Sequence, residues 1–350
     1  MPLLDALLQQ IIGEHRPLTR GEARSALQAI LASEPDPAAD KAIAELLTLL
    51  ARRGETVDEL TGFAEAMRSL SIPVPLTEEE RAALVDTCGT GGDGRGTFNI
   101  STGAALVAAA AGAKVAKHGN RGFTSKCGSA DVLEALGVPV ALPPGQSAAC
   151  LRSTGFAFLF APALHPAMKR VQPIRRALGF RTIFNLAGPL ANPAGAPAQI
   201  MGVYASDKLE IVAGAMALLG IRHGRVVHAR NGIDEIALSE TDEVVVTSAR
   251  PAIRSVIRPE DAGLASADLS QLQGGDTAEG NAAILEAILT GIERGPKRDV
   301  LLLNAAAALE VVGLAENLRE GVARAASAID SGDARRTLLA LRDFAAAQAG

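Results

Sequence analysis

From residue 76 onward the chain alternates short apolar runs with longer, helix-patterned stretches. The runs lie at 84–88, 113–117, 138–142, 156–160, 200–204, 226–228, 244–247 and 300–303. Strand-sized runs spaced by helices predict a mostly parallel sheet covered by helices. Such a sheet binds ligands at the carboxyl ends of its strands. The stretch Ile72-Pro-Val-Pro75 is a stiff connector, and the residues ahead of it read differently. Leu3, Leu4, Leu7, Leu8, Ile11 and Ile12 follow helical spacing, as do Ile43, Leu46, Leu47 and Leu50. Thr19-x-x-Glu22 and Thr56-x-x-Glu59 are capping boxes that each start a helix. The expected fold class is therefore α/β, with a small all-helical N-terminal domain and a larger domain built on the sheet. The alanine-rich, amphipathic tail over 316–347 adds further helix. So many apolar faces on the first 75 residues need a partner surface, on the same chain or on a second copy.

Two glycine-rich loops follow the first two strand-like runs. The first reads Asp86-Thr-Cys-Gly-Thr-Gly-Gly-Asp93-Gly-Arg-Gly-Thr-Phe-Asn99-Ile-Ser-Thr102, with five glycines from Gly89 to Gly96. Glycine tolerates positive φ and lets an anion approach the backbone, and successive free N–H groups form an anion-binding nest. Asn99 to Thr102 then open a helix expected over 103–112, whose first N–H groups also favour an anion. The second loop reads Lys117-His-Gly-Asn-Arg121-Gly-Phe-Thr-Ser-Lys126-Cys-Gly-Ser-Ala-Asp131. It adds Lys117, Arg121 and Lys126 as cations and Asn120, Thr124, Ser125 and Ser129 as amide or hydroxyl partners. Together the loops offer enough donors for more than one phosphate group. Ligand-free surface turns are the bland alternative, but they rarely concentrate so much donor capacity. Gly89-Thr-Gly91-Gly-Asp-Gly94 matches G-x-G-x-x-G, yet no acid lies between Asp93 and Asp131 to hold a dinucleotide ribose.

Composition narrows the function classes. Net charge is −5, which argues against a broad basic nucleic-acid surface. With no tryptophan and one tyrosine, stacking platforms for single strands are scarce. Cys88, Cys127 and Cys150 have no metal-ligand spacing and form no even set, which suits a reducing cytoplasm. No apolar run reaches the roughly 18 residues of a membrane span. The opening MPLLDALLQQ lacks a basic n-region, so a secretory leader is not expected.

GTGGD at 89–93, NIST at 99–102 and KHGNR at 117–121 resemble the anthranilate phosphoribosyltransferase family. HPAM at 165–168, the stretch from Arg175 through Asn185 and GPLANP at 188–193 are similar to further segments of that family, so the likeness covers nearly the whole chain. It implies transfer of a phosphoribosyl group from 5-phosphoribosyl 1-diphosphate to the amine of anthranilate, releasing diphosphate, in tryptophan biosynthesis. It implies a homodimer formed by the helical domain (1–75), which is joined by roughly 165–195 across a cleft from the phosphoribosyl-diphosphate domain (76–164 and 196–350). It implies magnesium, two ions per subunit, held by Asp234 and Glu235 and, for the second ion, by Ser101. The substrate-binding set carried over is Gly89, Gly92, Asp93, Thr97, Asn99, Ile100, Ser101, Thr102, Lys117, His118, Gly119, Asn120, Arg121, Gly122, Phe123, Thr124, Ser125, Ser129, His165 and Arg175.

Within that set Arg175 is the expected clamp for the anthranilate carboxylate, because guanidinium pairs bidentately with carboxylate. Arg176 and Arg181 are the next candidates. Anthranilate's amine is a neutral nucleophile at pH 7, so no general base is assigned. Gly122-Phe-Thr124 and Cys127 depart from the family's commonest second-loop form, and Ala229 stands where glycine is more usual. Two rivals share the scaffold. A pyrimidine nucleoside phosphorylase would carry a different phosphate loop. A non-catalytic nucleic-acid-binding relative would be basic, with degraded motifs.

Overall fold

The computed structural model describes residues 2–122 and 127–349. Its first quarter is four helices, α1 Pro2–Gly13, α2 Arg20–Ala32, α3 Pro37–Arg53 and α4 Val57–Ser69. Both expected capping boxes form, at Thr19 with Glu22 and at Thr56 with Glu59. The stripe Ile43, Leu46, Leu47 and Leu50 is fully buried.

Glu59 does more than cap its helix. Its carboxylate is 0 % exposed. It accepts from the backbone N–H of Leu18 at 2.9 Å and of Thr56 at 2.9 Å, and from the Arg53 guanidinium. One side chain thus ties α3, α4 and the loop before α2. Glu59→Ala leaves one buried and one half-buried N–H group and a guanidinium without their acceptor, and should lower unfolding free energy by about 3 kcal/mol. Urea denaturation checks this; a fall below ~1 kcal/mol would show that water replaces the carboxylate.

The rest of the chain builds a seven-stranded sheet in the order β3-β2-β1-β4-β5-β6-β7. The strands are β1 Leu84–Gly89, β2 Lys114–Gly119, β3 Phe156–Phe160, β4 Ala198–Gly202, β5 His223–Ala229, β6 Thr241–Thr247 and β7 Arg250–Ile257. The first five in sequence are parallel, and β6 and β7 return antiparallel. Three expectations need correction. The run 138–142 is coil with Val138 and Val140 buried, rather than strand, because Pro139 interrupts it and Pro143 ends it. The run 300–303 lies inside the helix Pro296–Val311, which is buried on nearly every side and so shows no helical periodicity. Strand β7 has no matching apolar run; its Arg250, Pro251 and Arg254 suit an exposed edge. The helix after the first loop runs Ile100–Ala110, slightly earlier than the 103–112 expected, and the tail forms two helices, Leu318–Asp330 and Asp333–Ala349.

Alternation along the strands sends successive side chains to opposite layers. Ile200 and Val227 join the core under helices Ile100–Ala110 and Pro296–Val311. Met201 and Val226 join a second core shared with α1–α4. There the helix Leu209–Leu218 lies against α4, and Lys208 pairs with Glu55 at 3.2 Å. The segment 165–195 also packs onto the helical layer: Phe184 meets Phe63 edge-on at 5.6 Å, and Arg170 pairs with Asp40 at 2.6 Å.

Candidate active site

From β1 the chain runs outward one way through β2 and β3, and later the other way through β4 and β5. The carboxyl ends of β1 and β4 therefore flank the switch point, where a parallel sheet opens a crevice. The loop after β5 folds back over this point and seats Asp234 directly on both strands. A Cβ on Gly89 would lie 2.6 Å from the Asp234 carboxylate, and one on Gly202 would fall on the Asp234 carbonyl. Only glycine at both strand ends admits the acid loop. The first loop starts beside it, with Thr90 N–H donating to the Gly202 carbonyl at 2.9 Å.

The acidic pair links two elements. Asp234 accepts from Gly91 N–H at 2.6 Å and from the Thr90 hydroxyl at 3.4 Å. Glu235 accepts from Ser101 N–H at 3.1 Å, in the first turn of helix Ile100–Ala110. Burial pushes both carboxyls well above the usual range, with Asp93 adding to the rise at Asp234, and Asp234 to that at Glu235. Beneath them Lys117 is fully buried, donating to the Thr87 carbonyl and, at 3.3 Å, to the Ser101 hydroxyl. Burial lowers its pKa against the pull of Asp86. Asp86 accepts from His118 N–H at 3.1 Å, and burial raises it to about 6. Among the described residues no three His, Cys, Asp or Glu side chains come together as a metal cage. The pair instead suits magnesium, which takes one or two carboxylates and completes its shell with water and substrate phosphates.

Several expected phosphate contacts have local partners. Asn99 donates to the Cys127 carbonyl at 3.1 Å, which joins the two loops, while its Oδ1 is buried without a partner among the described residues. The Thr102 hydroxyl donates to that of Ser129 at 3.0 Å, again bridging them. Thr97 pairs with Gln273, and Asp93 accepts from Arg95 N–H at 3.0 Å. Gly119 lies against the Phe158 ring with no room for a Cβ, and Asn120 accepts from Arg121 N–H at 2.7 Å. Gly122 N–H donates to Asp131 at 2.9 Å. Two expectations are corrected in part. The side chain of Ile100 is core, 1 % exposed, so only its backbone is available. The Arg121 guanidinium is taken up by Glu134 at 2.6 Å and Asp131 at 3.1 Å, rather than standing free for phosphate. Phe123, Thr124 and Ser125, with Lys126, lie outside the described residues.

A second group sits beside the first. The buried rings of His118 and His165 face each other at 5.1 Å, and each Nε2 lacks a partner among the described residues. Burial lowers both, His118 to about 3, which favours the neutral form of each ring. Arg175 lies over the Phe184 ring at 5.2 Å and makes no ion pair among the described residues. Burial lowers its pKa as well. A half-buried guanidinium without a carboxylate is poised for one supplied by a ligand. Arg181, the alternative clamp, is already engaged over Tyr204 and at the Gly92 carbonyl. Gly202, Tyr204 and the Gln273–Gly274 stretch are not among the site residues expected from the sequence. The last of these bonds the far side of the first loop through Gly274 N–H to Gly96 at 2.9 Å.

Known proteins share this fold. Residues 3–71 match the model of the glycosyl transferase family helical bundle domain, and residues 81–335 match that of its a/b domain. The anthranilate phosphoribosyltransferase of Solibacter usitatus is 49% identical over 348 residues, 99% of this chain and 100% of the relative. Among solved structures, the anthranilate phosphoribosyltransferase of Thermus thermophilus superposes with a TM-score of 0.89 at 42% identity, covering 99% of each chain. The Saccharomyces cerevisiae enzyme in complex with PRPP and Mg gives 0.88 at 28% identity, covering 98% of each. The same yeast enzyme with 4-fluoroanthranilate gives 0.86 at 27%, again covering 98% of each.

Proposed function

Because this chain belongs to the anthranilate phosphoribosyltransferase family, we infer that its reaction is transfer of the phosphoribosyl group of 5-phosphoribosyl 1-diphosphate to the amine of anthranilate. It is a glycosyltransferase of tryptophan biosynthesis, and the relatives favour this reading over a nucleoside phosphorylase or a nucleic-acid-binding protein. The observation that carries it to this chain's own residues is the Asp234–Glu235 pair, bonded to Gly91 on one side and Ser101 on the other at the sheet's switch point.

The leaving diphosphate departs from an anomeric carbon that becomes oxocarbenium-like, so positioning and electrostatics dominate. The free N–H groups of the glycine loop and the first turn of helix Ile100–Ala110 bind its oxygens. Asp234 and Glu235 hold magnesium, with Ser101 contacting a second ion, two per subunit. The metal neutralises charge that builds on the leaving diphosphate. Lys117 is buried behind Ser101 and keeps the acid pair's surroundings positive rather than taking a proton. Asn99, Thr102, Asn120 and Ser129 fix the loops and grip the phosphoribosyl group. Arg175 binds the anthranilate carboxylate while the neutral His118 and His165 rings line the aromatic ring's path. The amine needs no base. The family models divide at 71 and 81, which supports a helical domain ending near residue 75. Leu3 and Ile12, exposed on α1 at 42% and 49%, support a homodimer through that domain. No disulfide joins the described cysteines, which suits a cytoplasmic enzyme.

The test is at Arg175. The carboxylate is the one charged handle that separates anthranilate from aniline. Arg175→Ala should raise the activation free energy read from kcat/KM for anthranilate by on the order of 2–5 kcal/mol, as truncating one partner of a desolvated pair does, and leave the diphosphate constant alone. Arg175→Lys should rescue poorly, since a point charge cannot reproduce the fork. Normal anthranilate kinetics in both variants would remove the clamp.

A further inference from the structure

One contact reaches the first glycine loop from the segment that carries Arg175. Arg181 follows the helix Gln172–Leu178. Its guanidinium carbon lies over the Tyr204 ring, 4.3 Å from the centroid, and Nη2 donates to the Gly92 carbonyl. Among the described residues, the other fastenings of residues 90–96 come from their own side of the molecule. Thr90 N–H bonds Gly202, Gly91 N–H bonds Asp234, and the Arg95 carbonyl accepts from Gln273 at 3.2 Å. Gly91 and Gly92 both adopt positive φ, at 67° and 71°, a conformation with no side chain of its own to hold it.

We infer that Arg181 is a positioning residue for the diphosphate loop, an inference that rests on the phosphoribosyl-transfer reading above. The carbonyl and N–H of one planar peptide unit point in opposite directions. Holding the Gly92 carbonyl toward Arg181 therefore aims the Asp93 N–H the other way, as a fixed donor for a phosphate oxygen. Asp234 fixes the preceding N–H of Gly91, so two successive glycines are gripped from opposite sides. Tyr204 supplies the aromatic face on which the guanidinium rests while it donates to Gly92. Arg175 and Arg181 stand on one short segment, so the part of the chain that reads anthranilate also sets the loop that holds its co-substrate.

Two measurements decide it. In the substrate-free protein, amide hydrogen exchange over residues 89–96 should quicken about tenfold in Arg181→Ala, the scale of one charge-assisted hydrogen bond. In steady state the Michaelis constant for phosphoribosyl diphosphate should rise about tenfold, with that for anthranilate unchanged. Arg181→Lys should recover part of both effects by donating to the carbonyl. Tyr204→Phe should behave as wild type, and Tyr204→Leu should reproduce a weaker form of the arginine loss. Unchanged exchange in Arg181→Ala would overturn the inference, as would a rise confined to the anthranilate constant. Should the wild-type protein transfer no phosphoribosyl group, the reading of function fails but the exchange measurement still decides whether Arg181 braces the loop.

Discussion

Gly202→Ala is expected to remove nearly all phosphoribosyl transfer while leaving a folded protein. The added methyl group lands on the carbonyl oxygen of Asp234, a main-chain atom that no rotamer change can move aside. The loop bearing Asp234 and Glu235 must lift, and the bonds to Gly91 and Ser101 open with it. A displacement of roughly 1 Å at a reacting centre costs on the order of 100-fold in rate, and here both acids proposed to hold magnesium move together. Overpacking at a strand end should also lower stability by about 1–3 kcal/mol, so the melting temperature falls without loss of the cooperative transition. Gly145→Ala is the matched control, because a Cβ there meets open space. Activity of Gly202→Ala within a factor of a few of wild type would mean that the acid loop does not need its seat on β1 and β4.

The second large effect is expected from Asp234→Asn combined with Glu235→Gln. The amides keep the volume and can still accept from Gly91 and Ser101, so the fold should survive. What they lose is the charge proposed to hold a divalent cation beside the leaving group. Loss of on the order of 1000-fold in kcat is expected, the scale of removing preorganised electrostatic stabilisation, with partial recovery at high magnesium. Burial raises both carboxyls, so in wild type each holds its proton more tightly than an exposed acid and the metal must displace it. Magnesium should therefore bind more tightly as pH rises, with protons released, and the double variant should lose that pH dependence. Calorimetric titration in buffers of different ionisation enthalpy reads both. A double variant with wild-type magnesium response would make the pair ordinary charges.

How much of this was legible in the sequence follows from how local each feature is. The capping boxes at Thr19 and Thr56, the stripe from Ile43 to Leu50 and the two glycine loops are patterns within a few residues. The caps and the stripe take the form expected, and the described parts of both loops leave the ends of β1 and β2 as expected. The failures are of two kinds. An apolar run buried all round, such as Val300 to Leu303, has no period to read, and an exposed edge such as Arg250–Ile257 lacks the apolar density of a strand. The seat of the site is non-local: Gly202 is a lone glycine in an apolar strand, and nothing near it announces the main chain of Asp234 above. The Arg181 contact spans 89 residues. Arg121 fails for the opposite reason, since its partners Asp131 and Glu134 lie close by on the next helix and compete with any phosphate for its fork.

The most direct test of the central claim is a single fluorescence trace. Anthranilate is fluorescent, and joining its amine to a ribosyl carbon changes that emission. The purified protein mixed with anthranilate, phosphoribosyl diphosphate and magnesium should quench the anthranilate signal, with one diphosphate released per anthranilate consumed and no change when any component is left out. A flat trace in the complete mixture, with phosphate-dependent cleavage of a pyrimidine nucleoside by the same preparation, would contradict it.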